Sequence, residues 1–277
     1  MTGTETIVQG HYGRGGILQR LEAALKATGK DPQKPSIEDL QPYDQLHGRG
    51  IVATRELARH ASLRSGTRVL DLGFGIGGAS RYLTHEHQCV VSGLDLTPEF
   101  VEVARTLSER CGLGGRIEFR EGNALSLPYK DASFDCVWCH NVTMNIPDKP
   151  RLAAEVARVL VRGGRFVCAE AELGPKGEPI FPLPWARDPS SSFLVTPAEM
   201  RAALEGAGLR ILETIDETPA ILAFRNEMAA RTARGEPPLM RNDVAMGETD
   251  FAERARNMQK ATGEGRIVEH IIVAEKI

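Results

Sequence analysis

The sequence lacks the features of a membrane or secreted protein. Its longest apolar runs, such as residues 88–96, are far shorter than the ~20 residues that a helix needs to cross a bilayer. The first ten residues are polar and contain no basic segment followed by an apolar stretch, so no signal peptide is visible. We therefore expect a cytoplasmic protein that does not associate with membranes.

An excess of charge of one sign is also absent. The chain has 34 lysines and arginines against 37 aspartates and glutamates. This balance provides no broad basic surface for a phosphate backbone, so we do not expect nucleic acid to be a partner. The hydrophobic share of 42% and the charged share of 26% are ordinary for a globular protein and exclude disorder. With nucleic acids and membranes set aside, we expect a small molecule as the partner. Self-association into a homo-oligomer stays open.

Cysteines are few and odd in number, which argues against a disulfide framework. There are five in 277 residues. Cys136 and Cys139 form a C-x-x-C motif followed by His140, but a structural zinc site needs a second pair of ligands. A thioredoxin-like redox pair begins a helix, whereas this pair lies in an apolar, strand-like segment. We predict buried thiols that serve packing, and no metal centre.

The order of the elements predicts an α/β fold. Short apolar runs alternate with helix signals such as Thr97-Pro98 and Thr196-Pro197, which supply an N-cap and a first-turn proline. This alternation is typical of a doubly wound, mostly parallel Rossmann-like sheet, with ligands at the carboxyl ends of the strands. The predicted strands are residues 67–72, 89–94, 116–120, 134–139, 165–170, 209–215 and 267–274.

Three segments fall outside this alternation and divide the chain. Residues 1–66 have helical apolar spacing and are predicted to form an N-terminal helical lid. Residues 67–215 form the ligand-binding core, and within them a Pro/Gly/Ser-rich loop at 174–194 is placed to face a substrate. Residues 216–266 are a helical cap insertion before the last core strand, which lies in residues 267–277.

A glycine-rich turn at residues 71–78 carries the strongest chemical signal. Its glycines let the backbone turn sharply after a strand and approach a ligand closely, which indicates a nucleotide-like cofactor. Gly73, Gly75 and Gly78 also satisfy the G-x-G-x-x-G pattern, and Asp95 follows about 20 residues later. An NAD-dependent oxidoreductase is therefore one alternative, and a non-catalytic nucleotide-binding protein is another.

Three polar positions favour a cationic cofactor instead. Asp71 lies two residues before the first glycine, where it would repel a pyrophosphate but attract an ammonium or a sulfonium. Asn123 follows the third strand and can bond the amino edge of an adenine. Backbone carbonyls at residues 139–141 follow the fourth strand and can receive an ammonium. Together these positions describe a site for S-adenosylmethionine.

Five motifs follow one another over residues 67–170. In order they are VLDLGFGIG, GLDLT, EGNALSLPY, SFDCVWCHNVTMNI and EVARVLVRGGRFV. As an ordered set they resemble the class I S-adenosylmethionine-dependent methyltransferases. The upstream run LQPYDQLHGRG at residues 40–50, and Pro-Trp-Ala at 184–186, are similar to sarcosine and dimethylglycine N-methyltransferase-like proteins. The resemblance implies an enzyme that moves a methyl group to N, slightly preferred, or O of a small-molecule acceptor. Two residues depart from the family pattern, Phe74 in place of a small residue and Asn123 in place of an aspartate.

The resemblance also implies cofactor-binding roles, residue by residue. Asp95 takes both ribose hydroxyls, and Leu96 lies against the adenine. His140 offers its backbone carbonyl. For Asp95 the alternative is a cap at the start of the helix at Pro98. The methionine part and sulfonium contact Asp71, Gly73, Phe74 and Gly75, while the adenine edge contacts Asn123 and Ala124.

Methyl transfer is an in-line displacement that depends mainly on alignment of the reactants. A hydroxyl acceptor benefits from a general base, whereas an amine needs only to arrive neutral. No (Asn/Asp)-Pro-Pro-(Tyr/Phe) motif follows the fourth strand, which disfavours DNA bases as acceptors. The candidate catalytic residues are His47, His140 and Tyr43, and the candidate acceptor-binding residues are Tyr12, Phe181 and Trp185.

The segment at residues 43–50 is a candidate lid over the cofactor. The core motifs supply carboxylates and carbonyls, but nothing cationic for the cofactor's own carboxylate. Arg49 offers a planar fork that matches two carboxylate oxygens, and its glycine neighbours permit the backbone to close. We predict that Arg49 binds this carboxylate. The alternative is a surface arginine that solvates the following helix.

Overall fold

The computed structural model describes residues 3–13, 15–247 and 249–277 of the chain. Within them, seven strands form one sheet with the order β3-β2-β1-β4-β5-β7-β6. In chain order the strands are β1 (Arg68–Leu72), β2 (Val90–Asp95), β3 (Ile117–Glu121), β4 (Phe134–His140), β5 (Leu160–Leu173), β6 (Leu209–Asp216) and β7 (Ile267–Lys276).

The sheet is parallel from β3 to β5 and antiparallel at its other edge. β1 pairs in parallel with both β2 and β4, while β7 runs antiparallel to β5 and β6. The strand order therefore reverses at β1 and β4, and such a switch point opens a crevice at the carboxyl ends of the strands. The predicted doubly wound, mostly parallel sheet is confirmed.

Helices cover both faces of the sheet, and each face has its own apolar cluster. One cluster includes Val69 and Trp138, and the other includes Leu70 and Val137, as the period of two in a strand requires. The described helices are α1 (Gly3–Tyr12), α2 (Ile17–Ala27), α3 (Ile37–Asp44), α4 (Ile51–His60), α5 (Gly78–Glu86), α6 (Pro98–Arg110), α7 (Lys149–Val159), α8 (Pro197–Gly206), α9 (Thr218–Ala233), α10 (Asn242–Met246) and α11 (Phe251–Gly263).

The N-terminal helices and the cap helices contact each other. Arg20 on α2 donates to the backbone carbonyls of Val244 (3.0 Å) and Ala245 (2.7 Å) on α10. Leu21 and Leu25 on the same helix pack in a cluster that also contains Phe100 of α6. None of the described helices is long and apolar enough to span a membrane.

The C-x-x-C motif does not form a pair. Cys136 and Cys139 are three residues apart on β4, so they point to opposite faces and belong to different apolar clusters. All five cysteines are free thiols, and four of them are buried. Cys139 instead lies near Cys168 and Glu170, with their potential ligand atoms within 4.8 Å of one another. The C-x-x-C motif therefore does not bring Cys136 and Cys139 together as ligands of one metal ion.

Candidate functional site

One cavity of about 560 Å³ lies at the carboxyl ends of β1, β2 and β4. The helices α1, α9 and α11 also contribute to its walls, so the predicted lid and cap segments both border it. The structure brings most of the predicted site residues to this one cavity. Those on its lining are Tyr12, His47, Arg49, Asp71, Gly73, Phe74, Gly75, Asp95, Leu96, Asn123, Ala124, His140 and Trp185.

Two predicted residues do not reach the cavity. Tyr43, a candidate catalytic residue, is buried in the apolar cluster of Leu21 and Leu40. It lies at the end of α3, a helix that contacts α5 and α10, and it does not line the cavity. Phe181, a candidate acceptor-binding residue, packs against a second cluster that contains Leu183 and also lies off the lining. Apolar packing accounts for the position of both rings.

The glycine turn after β1 adopts a backbone that favours glycine. Gly73 and Gly75 have φ angles of 72° and 57°, a region that other residues rarely occupy. A Cβ atom on Gly73 would lie 2.4 Å from Cγ2 of Val142. The Gly73 amide donates to the carbonyl of Leu94 (2.7 Å), which ties the turn to β2. This turn therefore brings bare backbone to the wall of the cavity.

Asp95 connects the glycine turn to the start of α6. One carboxylate oxygen accepts from the Gly75 amide and the other from the Thr97 amide, each at 2.9 Å. Thr97 stands at the N-cap position as predicted, but its side chain makes no capping bond. Asp95 is 8% exposed, and burial raises its pKa to about 6. Asp95 therefore does bond the backbone at the start of α6, which was the alternative to cofactor binding. It also lines the cavity, so the two roles are compatible.

Asp71 is a buried carboxyl at the same end of the cavity. Its Oδ2 accepts from the Ser80 hydroxyl at 2.5 Å. Burial raises the pKa of Asp71 to about 7, and the nearby charge of Asp95 adds to this shift. A desolvated carboxyl with a raised pKa gains from an adjacent cation, because the cation stabilises its charged form. This end of the cavity therefore favours a positively charged ligand.

Two histidines stack at the junction between the lid segment and β4. The rings of His47 and His140 are parallel to within 16°, with their centroids 3.5 Å apart. His47 Nε2 lies 3.2 Å from the Thr54 hydroxyl, and its Nδ1 lies 3.2 Å from the Gly48 carbonyl. Burial lowers the pKa of His47 to about 4 and lowers that of His140 as well. Both rings are therefore neutral at pH 7.

Arg49 is buried rather than exposed at the surface. It is 7% exposed, and its guanidinium forms an ion pair with Glu217 at the start of α9. The alternative of a solvated surface arginine is therefore wrong. Its Nε atom has no hydrogen-bond partner within the described part of the chain. Binding of a cofactor carboxylate by Arg49 remains a prediction, and it would compete with Glu217.

Helix α1 covers the part of the cavity next to β2 and β3. The Asn123 amide donates to Glu5 Oε1 at 2.6 Å, while its own oxygen accepts from the Leu125 amide at 2.7 Å. Gln9 donates to the Leu96 carbonyl at 2.7 Å. Glu5 was not among the predicted site residues, because nothing local in the sequence links it to a residue 118 positions away.

Glu170 is a second residue at the site that was not predicted. It is buried on β5 and accepts from the backbone amides of Val142 and Thr143, each at 3.0 Å. These bonds hold the turn after β4, in which Asn141 has a φ of 55°. Burial raises the pKa of Glu170 to about 7. The available signal in the sequence is a glutamate that follows the apolar run Phe166–Ala169 near the carboxyl end of the strand.

Two aromatic side chains from outside the sheet also line the cavity. Trp185 is 4% exposed, and its indole nitrogen donates to the Ser192 hydroxyl at 3.0 Å. The Tyr12 hydroxyl lies 3.4 Å from the side-chain amide of Asn145. Burial raises the pKa of Tyr12 to about 12, so this hydroxyl stays protonated at neutral pH. Trp185 and Tyr12 both line the cavity, as the acceptor-binding prediction requires.

The chain is similar to known methyltransferases in sequence. Residues 70–168 match the family described as "Methyltransferase domain". Methyltransferase GfsG of Streptomyces halstedii is 33% identical over 132 residues, which are 48% of this chain and 48% of that protein. The sarcosine/dimethylglycine N-methyltransferase of Halorhodospira halochloris is 33% identical over 130 residues, 47% and 46% of the two chains. The chain thus spans about half the length of these curated relatives.

Among solved structures, geranyl diphosphate C-methyltransferase from Streptomyces coelicolor A3(2) has a similar fold. It was crystallised with Mg²⁺, geranyl-S-thiolodiphosphate and S-adenosyl-L-homocysteine. The TM-score is 0.72 over 100% of this chain and 99% of that one, at 16% sequence identity. At this identity the similarity concerns the fold alone. Residues 70–168 therefore match a methyltransferase domain, and the chain as a whole has the fold seen in class I S-adenosylmethionine-dependent methyltransferases.

Proposed function

We propose that this protein transfers a methyl group from S-adenosylmethionine to a small-molecule acceptor by in-line displacement. The observation that carries the proposal is the continuous cavity, which has the glycine turn, Asp71 and Asp95 at one end and the cap helices at the other. A cofactor and an acceptor would meet in it. The match of residues 70–168 to a methyltransferase domain supports the same conclusion.

The residues on the cavity wall fit this cofactor. The raised pKa of Asp71 favours a neighbouring ammonium, and the Asp95 carboxylate lines the same cavity, where it would accept from ribose hydroxyls. Asn123 and Leu96 both line the cavity and both bond to side chains of α1, and we propose that the adenine binds there. The His140 carbonyl would accept from the ammonium of the cofactor's amino acid part, and Arg49 would bind its carboxylate. When bound, the cofactor supplies an electrophilic methyl group on a sulfonium.

The chain itself then provides alignment and exclusion of water. Alignment of two bound reactants accounts for most of the acceleration in reactions of this type. His47 and His140 are neutral at pH 7, as a general base must be before it accepts a proton from the acceptor, but the burial that keeps them neutral also makes each ring a weaker base. We propose these two rings as the candidate bases. The acceptor atom is N or O, and the preference for N rests on the resemblance to the N-methyltransferases.

We also propose the division of the chain into a lid at residues 1–66, a core at 67–215 and a cap at 216–266. The positions of α1 to α4 before β1, and of α9 to α11 between β6 and β7, support this division. A cytoplasmic location, a small-molecule partner and the absence of a nucleic acid partner stay predictions from the composition. The family match favours methyl transfer over the NAD-dependent alternative.

The test is calorimetric titration of the whole chain with S-adenosylhomocysteine and, separately, with NAD. We expect binding of the homocysteine compound and none of NAD. Radiolabelled S-adenosylmethionine with a panel of amines, alcohols and phenols then tests for transfer of the label. Binding of NAD alone would overturn the proposal. Binding of S-adenosylhomocysteine without transfer to any acceptor would favour the non-catalytic alternative.

A further inference from the structure

The cap helix α9 directs its apolar side chains into the cavity rather than into the core. Among its 16 residues, all of them described, Ile221 is the only one that is buried. Ile221, Phe224 and Met228 nevertheless line the cavity, at the i, i+3, i+7 spacing of one helix face. Such a face normally packs against protein. Here it is turned towards the space that a ligand would fill.

Helix α11 repeats this arrangement. Phe251, Ala255 and Met258 line the cavity at the i, i+4, i+7 spacing. Trp185, from the loop after β5, closes the same end. The cap end of the cavity is therefore bounded mostly by apolar side chains from two helices and one loop, with polar side chains such as Gln259 among them.

Methionine is enriched on the lining of the cavity relative to the rest of the chain. Five of the seven methionines in the chain line the cavity, namely Met144, Met228, Met240, Met246 and Met258. Methionine is flexible and polarisable, and it adapts its shape to irregular apolar partners. Such a lining suits a bulky apolar ligand better than a compact polar one.

The buried cations at this end are already matched by carboxylates. Arg49 pairs with Glu217, and Arg225 lies 3.5 Å from Glu269. A free amino acid as acceptor would bring its own carboxylate, which needs a cation once it leaves water. Arg256, a further arginine on the lining, is exposed at the rim. If Arg49 binds the cofactor, no buried arginine of the described lining remains without a carboxylate for such an acceptor.

We propose that the acceptor is a bulky, predominantly apolar molecule with one nucleophilic group, and not a free amino acid such as sarcosine. This inference rests on the proposed function, because it assumes that the cofactor occupies the end next to the glycine turn. The apolar body would lie against α9 and α11, and its nucleophilic group would point towards the His47–His140 pair.

The test is binding of the uncharged fluorescent probe N-phenyl-1-naphthylamine to the full chain in saturating S-adenosylhomocysteine. Met228→Gln places a polar group on the cavity wall, and Ala223→Gln places the same group on an exposed position of α9 that does not line the cavity. We expect Met228→Gln to weaken probe binding by about fivefold or more, and Ala223→Gln to leave it unchanged. Absence of probe binding, or equal effects of the two variants, would overturn the inference.

Competition then separates the two classes of acceptor. Decylamine and sarcosine both carry an amine, but only decylamine has a long apolar body. We expect decylamine to displace the probe and sarcosine at the same concentration to leave it bound, and displacement by sarcosine would overturn the inference. Failure of S-adenosylhomocysteine itself to bind would count against the proposed function, whereas its binding without the probe would count against this inference alone.

Discussion

The two ends of the cavity are built in different ways. The end next to the glycine turn consists of backbone, carboxylates and short loops at the carboxyl ends of β1 to β4, all close to the centre of the sheet. The cap end consists of half-buried side chains on α9 and α11, which lie in an insertion between β6 and β7. The first end depends on a fixed backbone geometry, whereas the second depends on the shape of individual side chains.

This difference separates the binding of the cofactor from the choice of acceptor. Asp95 is held by two backbone amides, and the turn after β4 is held by Glu170. Changes there disturb a network that belongs to the core. On α9, by contrast, the cavity-facing side chains Phe224 and Met228 are half-buried and belong to none of the four apolar clusters, so we expect their exchange to disturb the fold less. Fold similarity therefore says little about which acceptor a chain of this type takes.

The largest loss of cofactor affinity is expected for substitution of Asp95. Asp95→Ala would remove the proposed charge-assisted contact to the ribose, and it also releases the amides of Gly75 and Thr97. We expect S-adenosylhomocysteine affinity to fall by about 1.5 to 3 kcal/mol, or roughly 10- to 150-fold. Calorimetry measures this loss. Glu102→Ala, which removes an exposed carboxylate from the same helix α6, is the control and should bind normally. Unchanged affinity in a folded Asp95→Ala protein would remove Asp95 from the cofactor site.

The next effect concerns Arg49, which is where the two ends of the cavity are linked. Arg49→Ala loses the guanidinium, and we expect cofactor affinity to fall by about 1.5 kcal/mol, or roughly tenfold. Arg49→Lys keeps the charge but not the planar fork, so its loss should be smaller. Glu217→Gln removes the competing carboxylate and should strengthen binding.

A control is needed because Arg49→Ala leaves the Glu217 carboxylate buried without its partner. The double variant Arg49→Ala/Glu217→Gln removes both charges and shows how much of the loss is due to that carboxylate. Proteolysis of residues 40–50 should also slow when the cofactor is bound, if this segment closes over it. Wild-type affinity in both Arg49 variants, with no change in proteolysis, would show that Arg49 serves only the link to the cap.

The third effect is a dependence of cofactor affinity on pH. The pKa of Asp71 is raised to about 7 in the ligand-free protein, and a bound ammonium would lower it. Binding then requires loss of a proton below pH 7, so affinity should decrease as the pH falls from 8 to 6, by at most about tenfold for one group. Asp71→Asn should bind more weakly at pH 8 and show a flatter profile. A wild-type profile that is flat over this range would contradict contact between Asp71 and the ammonium.

The contrast between the two ends also explains what the sequence could predict. The sheet, the glycine turn and most cofactor residues follow from local signals, namely glycines after a strand and polar residues at strand ends. The partners of Arg49 and Asn123 do not, because Glu217 and Glu5 are 168 and 118 residues away and pair only in the folded chain. The prediction for Tyr43 depends only on its neighbours in the sequence, whereas in the folded chain its ring packs with Leu21 and Leu40 and does not line the cavity.

The smallest effect is expected where α1 meets the core. Asn123 donates to Glu5 at 2.6 Å, and this bond helps to hold α1 over the proposed adenine site. Asn123→Asp replaces the donor with a carboxylate, so two like charges would meet across the contact. Because the pair is only partly buried, we expect a cost of about 0.5 to 1 kcal/mol, or roughly two- to fivefold in cofactor affinity.

A double-mutant cycle isolates this contact. Glu5→Gln provides a side-chain amide that can donate to the carboxylate introduced at position 123, so Asn123→Asp/Glu5→Gln should recover most of the affinity lost in Asn123→Asp alone. Limited proteolysis near residues 3–13 should follow the same order, fastest in Asn123→Asp and close to wild type in the double variant. If affinity drops equally in the single and double variants, Asn123 acts on the adenine directly and not through α1.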